Sequence, residues 1–480
     1  MIQMAATTSR YVELAGRIAA SISDGTYGIG SRMPSVRDLC RQYDASITTI
    51  AAAYRLLERR GLVEPRPQSG HFVRAAPLEA QEPGVSQPHP RPTEVGLGEL
   101  ALMVMRDSLD SQRSQFGPAL PDQALAPSVE LERIIAGLAR RGEAGTQRYD
   151  VPPGHRELRV RIARRAAAIG CDLGPDRIVT TAGALEALTL ALRATCKAGD
   201  TVAIESPMYY GLLQSIESLA LRVVEIPTHP RDGIVLEALR EALDEHPIAA
   251  VVAMPNFNNP LGSRSSDDAK RELVELLGSR RIPLIEDDVL GDLAHDGTRP
   301  SPAKAFDRRG LVLWCSSFSK TAAPGLRVGW IAAGKFQAAV EHMKFTSSVA
   351  TSTLSQVVMA EFLASGGYDR FLRRVRPAYG ARCVAMAEAV ARYFPRDTRV
   401  TRPTGGFVLW VELPRTVDAH RLYDAALDAQ VSLTPGPLFS AKQRYRHFIR
   451  LNAAGWSQPL EPKLRTLGTL ATRFAERGSR

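Results

Sequence analysis

The sequence predicts an α/β chain in two parts, a small helical domain at the N-terminus and a large domain built on a mainly parallel sheet. Three observations carry that expectation. Short apolar runs alternate with helical patterns from residue 99 onward, the alternation that gives a parallel sheet with helices on both faces. Three amphipathic segments crowd into the first 60 residues. Between the two lies a stretch, residues 77–98, with five prolines, three glycines and no apolar period, which reads as a linker. Length agrees, because 480 residues are too many for one ordinary domain.

Composition narrows the setting. Hydrophobic content of 44% is ample for a large core. The five cysteines are far apart and form no CxxC pair, so neither a disulfide framework nor a metal site is expected, and a reducing cytosol fits. No run approaches the 18 apolar residues that a membrane helix needs, and the N-terminus has no basic-then-apolar signal pattern. A cytoplasmic protein is expected. The net charge of +10 is unevenly placed: residues 1–76 hold ten arginines against six acidic residues, a net of +4, which leaves +6 over the other 404. Such a bias points to nucleic acid at the N-terminus.

In chain order, Val12, Leu14, Ala15, Ile18, Ala19 and Ile22 recur at helical spacing over Tyr11 to Ile22, and that helix ends near Gly25. Ser35 caps a second helix beginning after Pro34. Ser46 caps a third that reaches Arg60, with Ile50, Ala53, Leu56 and Leu57 facing inward. Two helices joined by the short turn at Asp44-Ala45 make a helix-turn-helix, whose second helix would lie in the major groove. Two short strands, Leu62 to Pro65 and His71 to Arg74, flank a Gln68-Ser69-Gly70 turn and form a wing. The order Gly30-x-Arg32-x-Pro34-Ser35-x-Arg37-x-Leu39, Ser46-x-Thr48-Thr49, Gly61-Leu62-Val63, Ser69-Gly70-x-Phe72-Val73 resembles the GntR winged helix over residues 9–76. The resemblance implies Ser35, Arg37, Ser46, Thr48 and Thr49 at phosphates or base edges, and Arg66, Ser69 and Gly70 at the wing. Ile47 departs from the family, which usually has a basic residue there.

Residues 77–98 are expected to be extended and semi-rigid. At about 3.1 Å per residue in polyproline geometry the stretch would span up to roughly 70 Å, enough to cross a partner subunit.

In the large domain the strands expected are Arg177 to Thr181, Thr201 to Glu205, Ala249 to Met254, Ile282 to Asp287, Leu311 to Cys315 and Val328 to Ala332. Ligands in such sheets sit at the carboxyl ends of the strands, and polar or small residues collect there in order. Ala182-Gly183-Ala184-Leu185 opens a helix toward a phosphate. Tyr209 offers a ring for stacking. Asn256 to Gly262 supplies amides, and Glu286-Asp287-Asp288 supplies a carboxylate that can keep a pyridine nitrogen protonated. The fifth end carries Ser317, Ser319 and Lys320, with Arg327 seven positions beyond the lysine. A partly desolvated lysine can lose its proton and attack a carbonyl, and two hydroxyls with a guanidinium can bind a phosphate dianion.

These motifs together resemble a fold-type I, class I/II aminotransferase over residues 99–480, with a smaller α+β C-terminal domain from about residue 370. The resemblance implies pyridoxal 5'-phosphate (PLP) as cofactor, with Lys320 as the catalytic lysine that bonds to it. It also implies Asp287 at the pyridine nitrogen, Asn259 at the 3-hydroxyl and Tyr209 on the ring. The backbone of Ala184 and Leu185, together with Ser317, Ser319 and Arg327, would take the phosphate, with Tyr149 reaching the phosphate in the other subunit. Arg450, in FIRLNAAG, would clamp a substrate or effector carboxylate. Val289 stands where the family often has a tyrosine.

Winged helix, linker and aminotransferase-like domain in one chain resemble the MocR subfamily of transcription regulators. That resemblance implies a head-to-tail, domain-swapped homodimer on double-stranded promoter DNA, sensing an amine, an amino acid or PLP. A working aminotransferase with a DNA tether, and a repressor whose large domain has lost its cofactor, remain alternatives at this point. Arg370, Arg373, Arg374 and Arg376 are expected on a solvated helix face.

Overall fold

The computed structural model describes residues 10–478 except 24, 25, 29, 60, 67, 68, 74–79, 89, 97, 108–112 and 144–147. The chain forms two compact units, Met1–Glu79 and Ala80–Arg480.

In the first unit, α1 (Arg10–Ser23), α2 (Val36–Tyr43) and α3 (Ile47–Arg59) precede a hairpin of β1 (Val63–Arg66) and β2 (Gly70–Val73), paired from Val63↔Val73 to Arg66↔Gly70. The expected C-terminus of α1 and the Gln68 turn lie outside the described residues. Leu14, Ile18, Leu39, Ile50, Ala53, Tyr54, Leu57, Val63 and Val73 make one buried core, so the apolar stripes of all three helices converge as their spacing dictates. Ser35 closes a reciprocal capping box with Asp38. The wing is held to α3 by the Tyr54 and His71 rings, stacked at 4.2 Å, and by His71 Nε2 at 2.7 Å from Glu58.

The second unit carries a nine-stranded sheet. Its strands are β3 (Thr93–Glu94), β5 (Val179–Thr181), β6 (Thr201–Ser206), β7 (Arg222–His229), β8 (Gly233–Ile234), β9 (Ile248–Ala253), β10 (Leu284–Asp287), β11 (Val312–Ser317) and β12 (Gly329–Ala332), while β4 (Ser114–Gln115) pairs elsewhere. The order is β3-β7-β6-β9-β10-β11-β12-β5 with β8 on β7. Helices α4 (Gly98–Asp107), α5 (Ser128–Arg141), α6 (Arg156–Ala167), α7 (Ala184–Thr195) and α8 (Tyr210–Ser218) come between or before these strands. Strands β7, β6, β9, β10 and β11 are mutually parallel. They are buried almost throughout, which is why they read as continuous apolar runs.

β12 is antiparallel to both β11 and β5. A parallel crossover needs a dozen or more residues and usually a helix, and only residues 318–328 separate β11 from β12. The chain therefore turns straight back, which brings Ser317, Gly329 and Thr181 side by side. The carboxyl ends of β5, β6, β9, β10 and β11 consequently share one edge with the start of β12. A second sheet, of four strands, includes Val408–Glu412, Thr434–Pro435 and Phe448–Asn452, and its Leu409, Trp410 and Leu451 join Val202, Ile204 and Leu313 in one core cluster. Of the C-terminal arginines, Arg370 pairs with Glu130, Arg374 donates to Leu125 O, and Arg376 donates to the carbonyls of Asp292 and Gly297. Those three hold the large unit together.

The described part of the proline-rich stretch, from Ala80 onward, is bonded to the large unit. Gln81 O accepts from Val400 N at 2.8 Å, Glu82 pairs with Arg231, Pro90 O accepts from His246 Nε2 at 2.7 Å, and Thr93–Glu94 adds an edge strand to β7. Ser86 is the firmest anchor: its Oγ donates to Ser206 O at 2.6 Å and accepts from Thr228 N at 2.8 Å. Prolines cannot donate to a ladder, yet an extended chain still presents carbonyls at strand pitch. The full 22-residue reach is therefore not available as free linker. Ser86→Ala leaves the buried Ser206 carbonyl and Thr228 amide short of a partner, which should cost about 1–3 kcal/mol. Hydrogen exchange at residues 84–88 should speed up in that variant, and unchanged exchange would show that the strap is not held there.

Candidate functional site

Three acidic residues in a row stand at the end of β10, Glu286 and Asp287 as its last two and Asp288 just beyond it. The pleat sends the first and third to one face and the second to the other. Glu286 accepts from the backbone of Ala303 (2.7 Å) and Lys304 (2.9 Å), and Asp288 accepts from Arg299 (2.6 Å), Trp314 Nε1 (2.8 Å) and Asn256 (3.2 Å). Asp287 is 3% exposed and its Oδ1 has no partner. Burial, and then the Asp288 charge, push its carboxyl up to about 7, against the pull of the Val289 amide and Lys320. A buried carboxylate with an orphaned oxygen suits a cationic donor such as a protonated ring nitrogen.

Lys320, on the loop after β11, donates from Nζ to Ala119 O at 2.8 Å. Burial first, then Arg450 and Arg327, bring its ammonium down to about 8, with Asp287 opposing. Beside it, Arg327 donates to Ser319 Oγ and to Ala182 O, each at 3.0 Å, and Ser317 Oγ lies 3.4 Å from Ser319 N. Gly183, at φ +92°, precedes the first turn of α7, and a Cβ there would collide with the Arg327 guanidinium. Ser317, Ser319 and Arg327 thus come together beside the N-terminus of α7, an end that favours anions.

Tyr209 precedes α8, and a Cβ on Gly211 would come within 2.6 Å of its ring, so the glycine lets the ring fold back. Asn259 Oδ1 accepts from Arg450 Nη1 at 3.1 Å. Arg450 is wholly buried, and its Nη2 donates to Gly117 O at 2.6 Å and Thr434 Oγ1 at 3.1 Å, leaving Nε unpartnered. A two-pronged carboxylate clamp there requires exchange of the Gly117 carbonyl. Tyr149 stands apart, 81% exposed.

Sequence reasoning missed the segment Gly117–Leu120. Its carbonyls receive Arg450, Lys320 and, through Pro118 and Leu120, Asn452 Nδ2 at 2.6 and 2.8 Å. One Gly-Pro step in a chain of 32 prolines signals a turn, not contacts made by backbone atoms with residues 201 or 333 positions away.

In the reader, Ser35 Oγ lies 2.6 Å from Asp38 Oδ2 and accepts from Asp38 N at 3.2 Å. Ser46 Oγ lies 2.8 Å from each of the Thr48 and Thr49 hydroxyls. Arg37, Ser69 and Gly70 are exposed, and Gly70 has φ +93°. The Arg66 side chain lies outside the described residues. Arg32, not singled out from sequence, comes beside the wing, where a Cβ on Gly70 would sit 3.5 Å from its Nε.

Comparison with known proteins supplies context. The family described as aminotransferase class I and II matches residues 127–461, and that of bacterial regulatory proteins, gntR family, matches residues 10–73. The chain is 38% identical to an uncharacterized HTH-type transcriptional regulator of Escherichia coli, YdcR, over 96% of this chain and 98% of that one. It is 30% identical to a 2-aminoadipate transaminase of Thermus thermophilus over 75% and 91% of the two chains. The solved structure of LysN, an alpha-aminoadipate aminotransferase of Thermus thermophilus complexed with N-(5'-phosphopyridoxyl)-L-leucine, superposes with a TM-score of 0.73 at 27% identity, covering 78% of this chain and 95% of that one.

The lowered ammonium of Lys320 sets a measurable expectation. Its folded-state pKa lies below the usual 10.5, so the neutral, nucleophilic amine is present above about pH 8. Labelling of Lys320 by benzaldehyde and borohydride should climb through about pH 8 and then level off. A midpoint near 10.5 would show an ordinary exposed lysine.

Proposed function

We propose that this chain, which belongs to the gntR family of bacterial regulatory proteins and, over most of its length, to the class I and II aminotransferases, is a DNA-binding transcription regulator whose large unit holds PLP and senses an amine or amino acid. The architecture is that of the MocR subfamily. The observation that carries the cofactor assignment is the pairing of an orphaned buried carboxylate, Asp287, with a lysine of lowered pKa, Lys320.

Asp287 faces the ring nitrogen, Tyr209 covers the ring and Asn259 meets the 3-hydroxyl. Ser317, Ser319, Arg327 and the backbone of Ala184 and Leu185 take the phosphate. When bound, PLP supplies an aldehyde that condenses with primary amines and a ring that accepts electron density. The protein's own part is to lower the pKa of Lys320 so that a fraction of it is neutral near physiological pH, to keep Asp287 charged beside a cation, and to offer Arg450 to a carboxylate in exchange for the Gly117 carbonyl.

The exposure of Tyr149 suits a residue that reaches the phosphate of the partner's site, and supports a homodimer. A head-to-tail, domain-swapped arrangement is part of this reading, as is a cytoplasmic setting. In the reader, Arg37 lies on phosphate, with Ser35, Ser46, Thr48 and Thr49 toward the groove and Arg66, Ser69 and Gly70 at the wing. No described helix is long and apolar enough to cross a membrane.

A working aminotransferase is the competing reading, since every residue type for amino-group transfer is at hand. Spectroscopy separates the two. The PLP-loaded protein should show a visible band that is absent in Lys320→Ala and unchanged in Arg37→Ala, while Arg37→Ala weakens DNA binding. Amino acids should shift the band without sustained turnover with 2-oxoglutarate. A colourless protein would remove the cofactor assignment, and turnover like that of a dedicated enzyme would favour the aminotransferase.

A further inference from the structure

The second helix of the helix-turn-helix opens on an exposed aliphatic side chain. Ile47 opens α3 and is 63% exposed, whereas Ile50, Ala53, Tyr54 and Leu57 of the same helix are buried in the core. Packing therefore does not account for it. Its neighbours Thr48, Ala51 and Ala52 carry no charge and no amide, and Arg55 is the first cation along α3. The hydroxyls of Ser46, Thr48 and Thr49 are already within 2.8 Å of one another through Ser46. Ile47 is therefore the exposed aliphatic side chain of this turn, beside hydroxyls that are partly engaged with one another.

Exposed cations occur on α2, on α3 and beside the wing of the same small unit. Arg37 and Arg41 project from α2, with the Arg41 side chain 80% exposed, Arg32 stands beside the wing, and Arg55 is exposed on α3 itself. That charge pattern fits a duplex, whose phosphates meet the cations while the apolar tip meets base edges. In the major groove guanine is read by Arg or Lys and adenine by Asn or Gln, whereas thymine offers a methyl group to an apolar contact.

We propose that Ile47 is a specificity-determining residue that packs against the 5-methyl group of one thymine in each half-site. This rests on the DNA-reading assignment above. It makes the reader sensitive to a group that carries no hydrogen-bonding information.

The test uses the full-length protein and a duplex that it selects from a randomised library. Replacing single thymines by uracil removes only the methyl group. At one thymine per half-site, wild-type affinity should fall about fourfold, the equivalent of ~0.8 kcal/mol for one apolar carbon. Ile47→Ala should bind the thymine and uracil duplexes equally at that position, while Ile47→Val should retain the preference. Because Ile47 lies outside the core, both variants should fold as the wild type does. Wild-type indifference to every replacement, or an unchanged preference in Ile47→Ala, overturns the role of Ile47. Failure to select any duplex would instead overturn the DNA-reading assignment on which it rests.

Discussion

The large unit turns on a carboxylate buried in its core with one oxygen unpartnered. Of the three acids at the end of β10, Glu286 and Asp288 have dedicated donors on one face, and Asp287 projects to the other with Oδ1 unpartnered. An acid whose folded-state pKa is raised favours the fold while protonated. Asp287 therefore costs stability as pH rises from the ordinary carboxylate range through about 7. A cationic ring nitrogen facing Asp287 would reverse that cost, and a ligand that binds only the folded chain stabilises it further.

Topology explains why the other groups are within reach. The turn after β11 is too short for a crossover, so β12 runs back beside β5 and places Arg327 against Ala182 and Ser319. Lys320 lies on that turn. On the other side of the site, Gly117–Leu120 closes over Arg450 and Lys320 with backbone carbonyls. The strap from Ala80 is pinned through Ser86 to Ser206, three residues before Tyr209. The strap is therefore bonded to the end of β6, close in sequence to the Tyr209 that precedes α8.

Much of this was legible in the sequence because side-chain periodicity encodes it. The helical stripes of the reader, the cap at Ser35 and the strand-end order from Ala184 to Lys320 are all side-chain patterns. The direction of β12 was not legible from apolar content, and followed only from the length of the turn before it. The strap read as free chain because its anchors are backbone groups, a serine and one glutamate, which leave no apolar period. Gly117–Leu120 was invisible for the same reason.

The central claim is that chemistry at Lys320 changes how the reader holds DNA. Its most direct test is the affinity of the PLP-loaded, full-length protein for a selected duplex, measured by fluorescence anisotropy with and without a saturating amino acid. The account predicts a shift of about fivefold or more in the wild type, the lower end of ordinary allosteric coupling, and no shift in Lys320→Ala. An identical shift in both proteins, or none in a wild type whose absorption band responds to the amino acid, would contradict it.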